Sequence, residues 1–117
     1  MSKRNAAKTA AATRTVSLDD AAALAAFAAD AVTVARSLVA AGQGYGRKAF
    51  ICDVAHALGA DLATAKVFLL AAHKAGCLDL SRADLVEAMD PRKVAASDTW
   101  HTTDRRFAAD YNFVNAY

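Results

Sequence analysis

Hydrophobic residues recur every three or four positions in the first third of the chain, which is the spacing of an α-helix that buries one face. Ser17 and Asp20 are typical of a helix start, because an oxygen-bearing side chain can accept a hydrogen bond from a free backbone N–H of the first turn. Gly42 ends the pattern. We therefore predict a helix over 17–41, with a stripe that packs either on the rest of the domain or on its equivalent in a second copy. The stripe consists of Leu24, Phe27, Ala31, Val34, Leu38 and Ala41.

Two further helical segments follow a glycine-rich loop at 42–46. The loop lacks both the Walker pattern and the position after a strand that a dinucleotide fingerprint requires, so we do not interpret it as a phosphate cradle. From Lys48, apolar residues recur on one helical face until Gly59, and Asp61 then caps a third helix that runs to Gly76. The pattern predicts a helix-turn-helix over 48–75.

The second half of the chain contains strand-like and capping patterns. Apolar and polar residues alternate over 77–80 and again over 111–114, which predicts two short strands that could pair. Ser81 and Asp84 resemble a helix start ahead of Met89, and Asp90 with Pro91 predicts a further helical turn. The predicted fold class is mainly α with a small β-sheet.

The segment 50–70 resembles the winged helix-turn-helix class. In that class a small residue lies where the two helices cross, a glycine four residues later makes the turn, and apolar residues lock the pair together. The matching residues here are Ala55, Gly59, Leu58, Leu62, Ala65 and Phe68. The resemblance covers about 48–80, and it implies a winged helix-turn-helix with an N-terminal helix. A typical wing has a tight turn where this chain has residues 81–110, so either the wing is decorated or the last strand belongs elsewhere.

The resemblance implies a DNA-binding protein, a regulator of transcription or an accessory factor, whose second motif helix faces the major groove. Between residues 61 and 76, however, no Arg, Asn or Gln is present to make bidentate contacts with bases. We therefore expect contacts mainly with the phosphate backbone. The residues predicted to make DNA contacts are Arg47, Lys48, Thr64, Lys66, Lys74, Arg105 and Arg106.

A protein-protein adaptor is the alternative hypothesis, because the same helix is apolar over most of its circumference. Val67 and Leu70 are the predicted contacts with a protein partner. For the first helix, we predict a homodimer that forms through residues 17–41.

The distribution of charge divides the chain into a tail and a body. The net charge is +2, but residues 1–16 hold four basic residues and no acidic one, which leaves 10 basic and 12 acidic residues in 17–117. We interpret 1–16 as a disordered basic tail, either a phosphate-contacting arm or a solubilising leader, and 17–117 as a single winged-helix-like domain.

Other kinds of site have weaker support. Cys52 with His56, and His73 with Cys77, have a spacing that would suit zinc, but free cysteines are also common core residues. No nucleophile elbow, zinc-protease motif or paired-carboxylate arrangement is present, so we expect neither an enzyme nor a cofactor. The apolar run at 21–29 is shorter than a membrane span and no secretory signal is evident, which predicts a cytoplasmic protein without a membrane segment.

Overall fold

A computed structural model of the chain describes residues 20–83, 89–99 and 111–116. These residues are mainly helical and include one small antiparallel sheet, which confirms the predicted fold class. The elements in chain order are α1 (Ala21–Ala40), β1 (Lys48–Phe50), α2 (Ile51–Leu58), α3 (Leu62–Lys74), β2 (Leu80–Ser81), α4 (Pro91–Ser97) and β3 (Phe113–Asn115).

The last strand lies in the middle of the sheet, whose order is β1-β3-β2. Leu80 pairs with Val114, which confirms the predicted pairing between the two strand-like segments of the second half. On the other side of β3, Phe50 pairs with Phe113. Because β2 and β3 pair directly, the residues between them form an insertion between two neighbouring strands of one sheet.

Helix α1 begins later than predicted. Asp20 has an extended backbone, and its Oδ1 accepts a hydrogen bond from the Ala23 N–H at 3.1 Å, so Asp20 is the cap. The predicted start at Ser17 lies outside the described residues, and within them the capping position falls on the acidic residue Asp20. The end is as predicted: the helix stops at Ala40, and Gly42 adopts a positive φ of 81°.

The predicted start of the helix-turn-helix is also corrected, because Lys48–Phe50 is strand β1 and the helix begins only at Ile51. These residues form hydrogen bonds with β3, a partner far along the chain, and that pairing overrides the local helical pattern. The turn agrees with the prediction, since Gly59 ends α2 in a left-handed conformation and Asp61 accepts a hydrogen bond from the Thr64 N–H at 3.1 Å. Helices α2 and α3 meet at 110°.

The core forms where α1, α2 and α3 pack together against one face of the sheet. The stripe of α1 packs within the chain, because Ala31 is fully buried and Leu24 packs against Phe68 of α3. Of the two alternatives for the stripe, this is packing on the rest of the domain. The largest fully buried apolar side chains are Phe113, Ile51, Leu69, Val54 and Val114.

By length and composition alone, α1 is a helix that could cross a membrane. Helices α2 and α3 taken together also meet these two criteria, but a sharp bend separates them. The sequence-based exclusion considered only the uninterrupted apolar run at 21–29, whereas the whole of α1 passes the test of length and composition. The core helix of a folded domain passes the same test. In this chain, four residues of α1 are buried: Leu24, Ala28, Ala31 and Ala35.

Candidate nucleic-acid interface

The first turn of α3 uses one of the predicted DNA-contact residues for its own cap. Both the backbone N–H and the hydroxyl of Thr64 donate to Oδ2 of Asp61, at 3.1 and 3.0 Å. This arrangement satisfies a free N–H of the helix start and fixes the rotamer of Thr64. The hydroxyl of Thr64 therefore has only its acceptor lone pairs available for another group.

Lys66 lies one turn beyond the start of α3 and is partly buried. Burial lowers the pKa of its ammonium group, while the nearby negative charge of Asp98 acts in the opposite direction. Asp98 follows α4, so the insertion between β2 and β3 brings an acidic residue towards this part of α3. The positive charge of Lys66 is thus partly offset within the chain.

Lys74 is exposed at the C-terminal end of α3. A cation there is favoured by the negative end of the helix dipole. Of the basic residues predicted on this helix, Lys74 is therefore the better placed to contact an external phosphate, because Lys66 is partly desolvated beside an acidic residue.

Helix α3 carries apolar residues on most of its sides, and other parts of the fold cover several of these sides. Leu70 is only 3% exposed and belongs to the main core, and Val67 is partly buried. The expectation that Leu70 lies on an exposed docking face is therefore not met, because α1, α2 and β2 all pack on this helix. The buried residues of α3 are Ala65, Phe68, Leu69, Leu70, Ala71 and Ala72.

A tight turn just before β1 positions Lys48. Tyr45 and Lys48 exchange two backbone hydrogen bonds of 2.9 and 3.0 Å, and Gly46 between them has a positive φ of 59°. A Cβ at Gly44 would lie 2.3 Å from the Lys48 carbonyl oxygen, so only glycine fits there. Residues that face each other across such a pair project their side chains to the same side. Arg47 is exposed between them.

A groove of about 310 Å³ opens beside this turn on the outer face of the sheet. The Nζ of Lys48 lies 5.9 Å from the ring centroid of Phe113, within the range of a cation–π contact. Arg47 and Lys48 of this groove were predicted from the sequence, whereas Tyr45 and Arg82 were not, although Tyr45 lies between two glycines, a recognisable loop signal. The groove is lined by Tyr45, Gly46, Arg47, Lys48, Arg82, Met89 and Phe113.

The segment 89–99, within the insertion between β2 and β3, packs on α2. The Ser97 hydroxyl oxygen accepts a hydrogen bond from the Cys52 N–H at 3.0 Å and so caps α2, whose own N-cap residue, Phe50, makes no side-chain cap. Lys93 forms an ion pair with Asp53 at 2.9 Å. The first turn of α2 is therefore covered by its own chain.

The four candidate zinc ligands do not form a common site. His73 Nδ1 accepts a hydrogen bond from the Leu80 N–H at 3.2 Å, and its ring packs edge-on against Tyr111. Cys77 is exposed, whereas Cys52 is partly buried near Lys93. Within residues 20–83, 89–99 and 111–116, no three His, Cys, Asp or Glu side chains are grouped so that they could hold a metal ion.

Several predictions concern residues outside the described part of the chain. They are the basic tail at 1–16, the DNA contacts at Arg105 and Arg106, and most of the short helix ahead of Met89. No protein-family model matches the chain, and no curated protein or solved structure shows significant similarity to it.

Proposed function

We propose that this protein is a winged-helix protein that binds duplex DNA mainly through phosphate contacts. The connectivity is the observation that carries the proposal: a helix, a strand, two crossed helices and a second strand follow one another, and a third strand, which comes after α4, lies between the other two strands of the sheet. The winged-helix class has this connectivity, with α3 in the place of its recognition helix. The insertion between β2 and β3 then corresponds to a decorated wing.

Phosphate contacts are favoured over base readout because α3 exposes few groups that discriminate between bases. Thr64 is engaged in the helix cap, and Lys66 lies near Asp98. Lys74 offers a point charge, which suits a phosphate better than the bidentate edge of a base. Such binding suits an accessory factor, or a regulator whose sequence specificity comes from another component.

The protein-protein adaptor has less support. Leu70 is buried in the core, which leaves Val67 as the only one of the two predicted contacts with partial exposure. The predicted homodimer through residues 17–41 loses its main argument as well, since the stripe of α1 already packs within the chain. The DNA-binding proposal does not require either contact.

Duplex binding by the full chain tests the proposal. Fluorescence anisotropy with labelled mixed-sequence DNA should detect binding at low salt, and affinity should fall linearly with the logarithm of the salt concentration. Lys74→Gln should weaken binding to all sequences alike and reduce the salt slope by about 1. Arg36→Gln is the matched control on α1, and it should leave affinity unchanged.

Two results would contradict the proposal. One is the absence of detectable duplex binding at low salt by a folded protein. The other is an unchanged affinity and salt slope for Lys74→Gln combined with Lys66→Gln, because these two positions are the lysines of α3. Thermal melting of each variant separates a loss of binding from a loss of folding.

A further inference from the structure

The outer face of the sheet carries a row of aromatic rings that ends at an exposed tyrosine. The rings of Phe113 and Phe50 lie 4.7 Å apart, and the ring of Tyr45 meets Phe50 edge-on at 6.5 Å. Of the large hydrophobic residues in the described part of the chain, only Tyr45 is exposed, at 37%. An aromatic ring at the open end of such a row can stack with another flat ring.

The charge of the groove beside Tyr45 differs from that of the rest of the described chain. Three basic residues, Arg47, Lys48 and Arg82, line it, and no acidic residue is among its described lining. Elsewhere acids and bases are mixed: outside the groove, the described ranges contain five basic and seven acidic residues. These three side chains would attract a negatively charged ligand.

The backbone holds the stacking group and a cation in fixed relative positions. Tyr45 and Lys48 are joined by two hydrogen bonds across a tight turn, and the requirement for glycine at position 44 shows how closely the chain approaches itself there. Little backbone conformational entropy would be lost when a ligand contacts both side chains, because their backbone is already ordered.

We propose that this groove binds one nucleotide of a single-stranded nucleic acid, with its base on Tyr45 and its phosphate between Lys48 and Arg82. A volume of about 310 Å³ is at the small end of ligand sites, which suits one nucleotide better than a duplex. Stacking tolerates any base, and basic side chains tolerate any phosphate, so the site is not sequence-specific. This inference rests on the proposed function only in its choice of nucleic acid as the partner.

Binding of a labelled oligothymidylate to the full chain, followed by fluorescence anisotropy at low salt, tests this site. Tyr45→Ala should weaken binding at least about 5-fold, because loss of base–aromatic stacking has that effect in other proteins. Tyr45→Phe should bind as the parent does, since the ring is retained. Lys48→Gln and Arg82→Gln should each weaken binding and reduce its salt dependence.

Arg36→Gln again serves as the control, because Arg36 lines a different groove, between α1 and the turn after α3. Unchanged affinity for Tyr45→Ala in a folded protein would overturn the inference, and so would equal competition by polyglutamate, which has charge but no bases. Competition by a free mononucleotide at similar concentration would assign the site to nucleotides instead of strands.

The two proposals can fail separately. Duplex binding that depends on Lys74, without Tyr45-dependent binding of the single strand, would support the proposed function and reject the groove. Single-strand binding that depends on Tyr45, without any duplex binding, would support the groove and reject the proposed function. Lys74 does not line the groove, so Lys74→Gln should leave oligothymidylate affinity unchanged.

Discussion

Helix α3 and the segment 89–99, which contains α4, both pack against α2. Different interactions stabilise these two regions. The buried residues of α3 are all apolar. In the segment 89–99, the buried residues are the polar Ser97 and Thr99. One region is thus stabilised mainly by removal of apolar surface from water, and the other by hydrogen bonds.

The hydrogen bonds of the segment 89–99 reach several other parts of the molecule. The Asn112 side chain donates to the Val94 carbonyl at 2.9 Å and accepts from the Ala83 N–H at 3.1 Å, and it is 5% exposed. The Tyr111 N–H donates to the Thr99 hydroxyl oxygen at 3.0 Å. Because each such bond needs one particular partner in one orientation, single substitutions should affect this segment selectively.

The largest effect is expected in α3. Leu69→Ala should lower the free energy of unfolding by about 2–5 kcal/mol, because the side chain is fully buried and its removal leaves a cavity. Leu62→Ala, at a partly buried position on the same helix, should cost less. Urea denaturation measures both. Equal losses of unfolding free energy in the two variants would contradict the expectation that the more buried leucine contributes more to stability.

The next largest effect is expected at Asn112. Asn112→Ala should cost about 1–3 kcal/mol of unfolding free energy, because the Val94 carbonyl and the Ala83 N–H lose their partner. Amide hydrogen exchange should accelerate in the segment 89–99 more than in α3. Asn112→Asp can still accept from Ala83 but cannot donate to Val94, so it separates the two bonds. Uniform acceleration across the molecule would contradict a selective role.

A smaller effect is expected at Ser97. Ser97→Ala should lower the unfolding free energy by about 1 kcal/mol, as the loss of an N-cap does, and should expose the Cys52 N–H to faster exchange. Ser37→Ala is the control, because its hydroxyl bonds within an exposed part of α1. Ser37→Ala should be close to neutral, and a cost equal to that of Ser97→Ala would argue against long-range capping.

The smallest effect is expected at the ion pair of Lys93 with Asp53. The hydrogen bond to Asp53 raises the pKa of Lys93, so the folded state holds that proton more tightly than the unfolded state does. Its stabilisation is fully present below the ordinary lysine pKa and disappears as the pH rises through the folded value. Since the lysine side chain is 37% exposed, the contribution should be below about 1 kcal/mol.

Melting temperatures of the parent and of Lys93→Gln, compared across pH, measure this contribution. The difference between them should be constant near neutral pH and should shrink in the alkaline range. A difference that grows with pH would show that the pair does not stabilise the folded state.

Local chemistry explains why α3 was predictable from the sequence. Asp61 caps the helix, Gly59 precedes it in a left-handed conformation, and the buried residues recur at helical spacing. Each of these features acts within a few residues along the chain. The turn at Asp90 and Pro91 was predicted for the same reason, and its Asp90 side chain does accept from the Arg92 N–H at 2.9 Å.

The candidate site was only partly predictable. Arg47 and Lys48 were identified from their type and position, but their association with Tyr45 and Arg82 depends on how β1, β3 and the chain after β2 come together. The prediction at Leu70 failed for a related reason. An apolar residue on a helix that is apolar on most sides can be exposed or buried, and only the packing of α1 and β2 around α3 decides which.

The sequence by itself determined the caps at Asp61 and Asp90, the glycine turns and the helical periodicity, because these depend on contacts between residues close together in the chain. The tertiary structure decided that Lys48–Phe50 forms a strand and not a helical turn, since its partner is β3. It also decided that the stripe of α1 packs inside the chain and that Ser97 caps α2. Such contacts join residues far apart in sequence, so no local pattern specifies them.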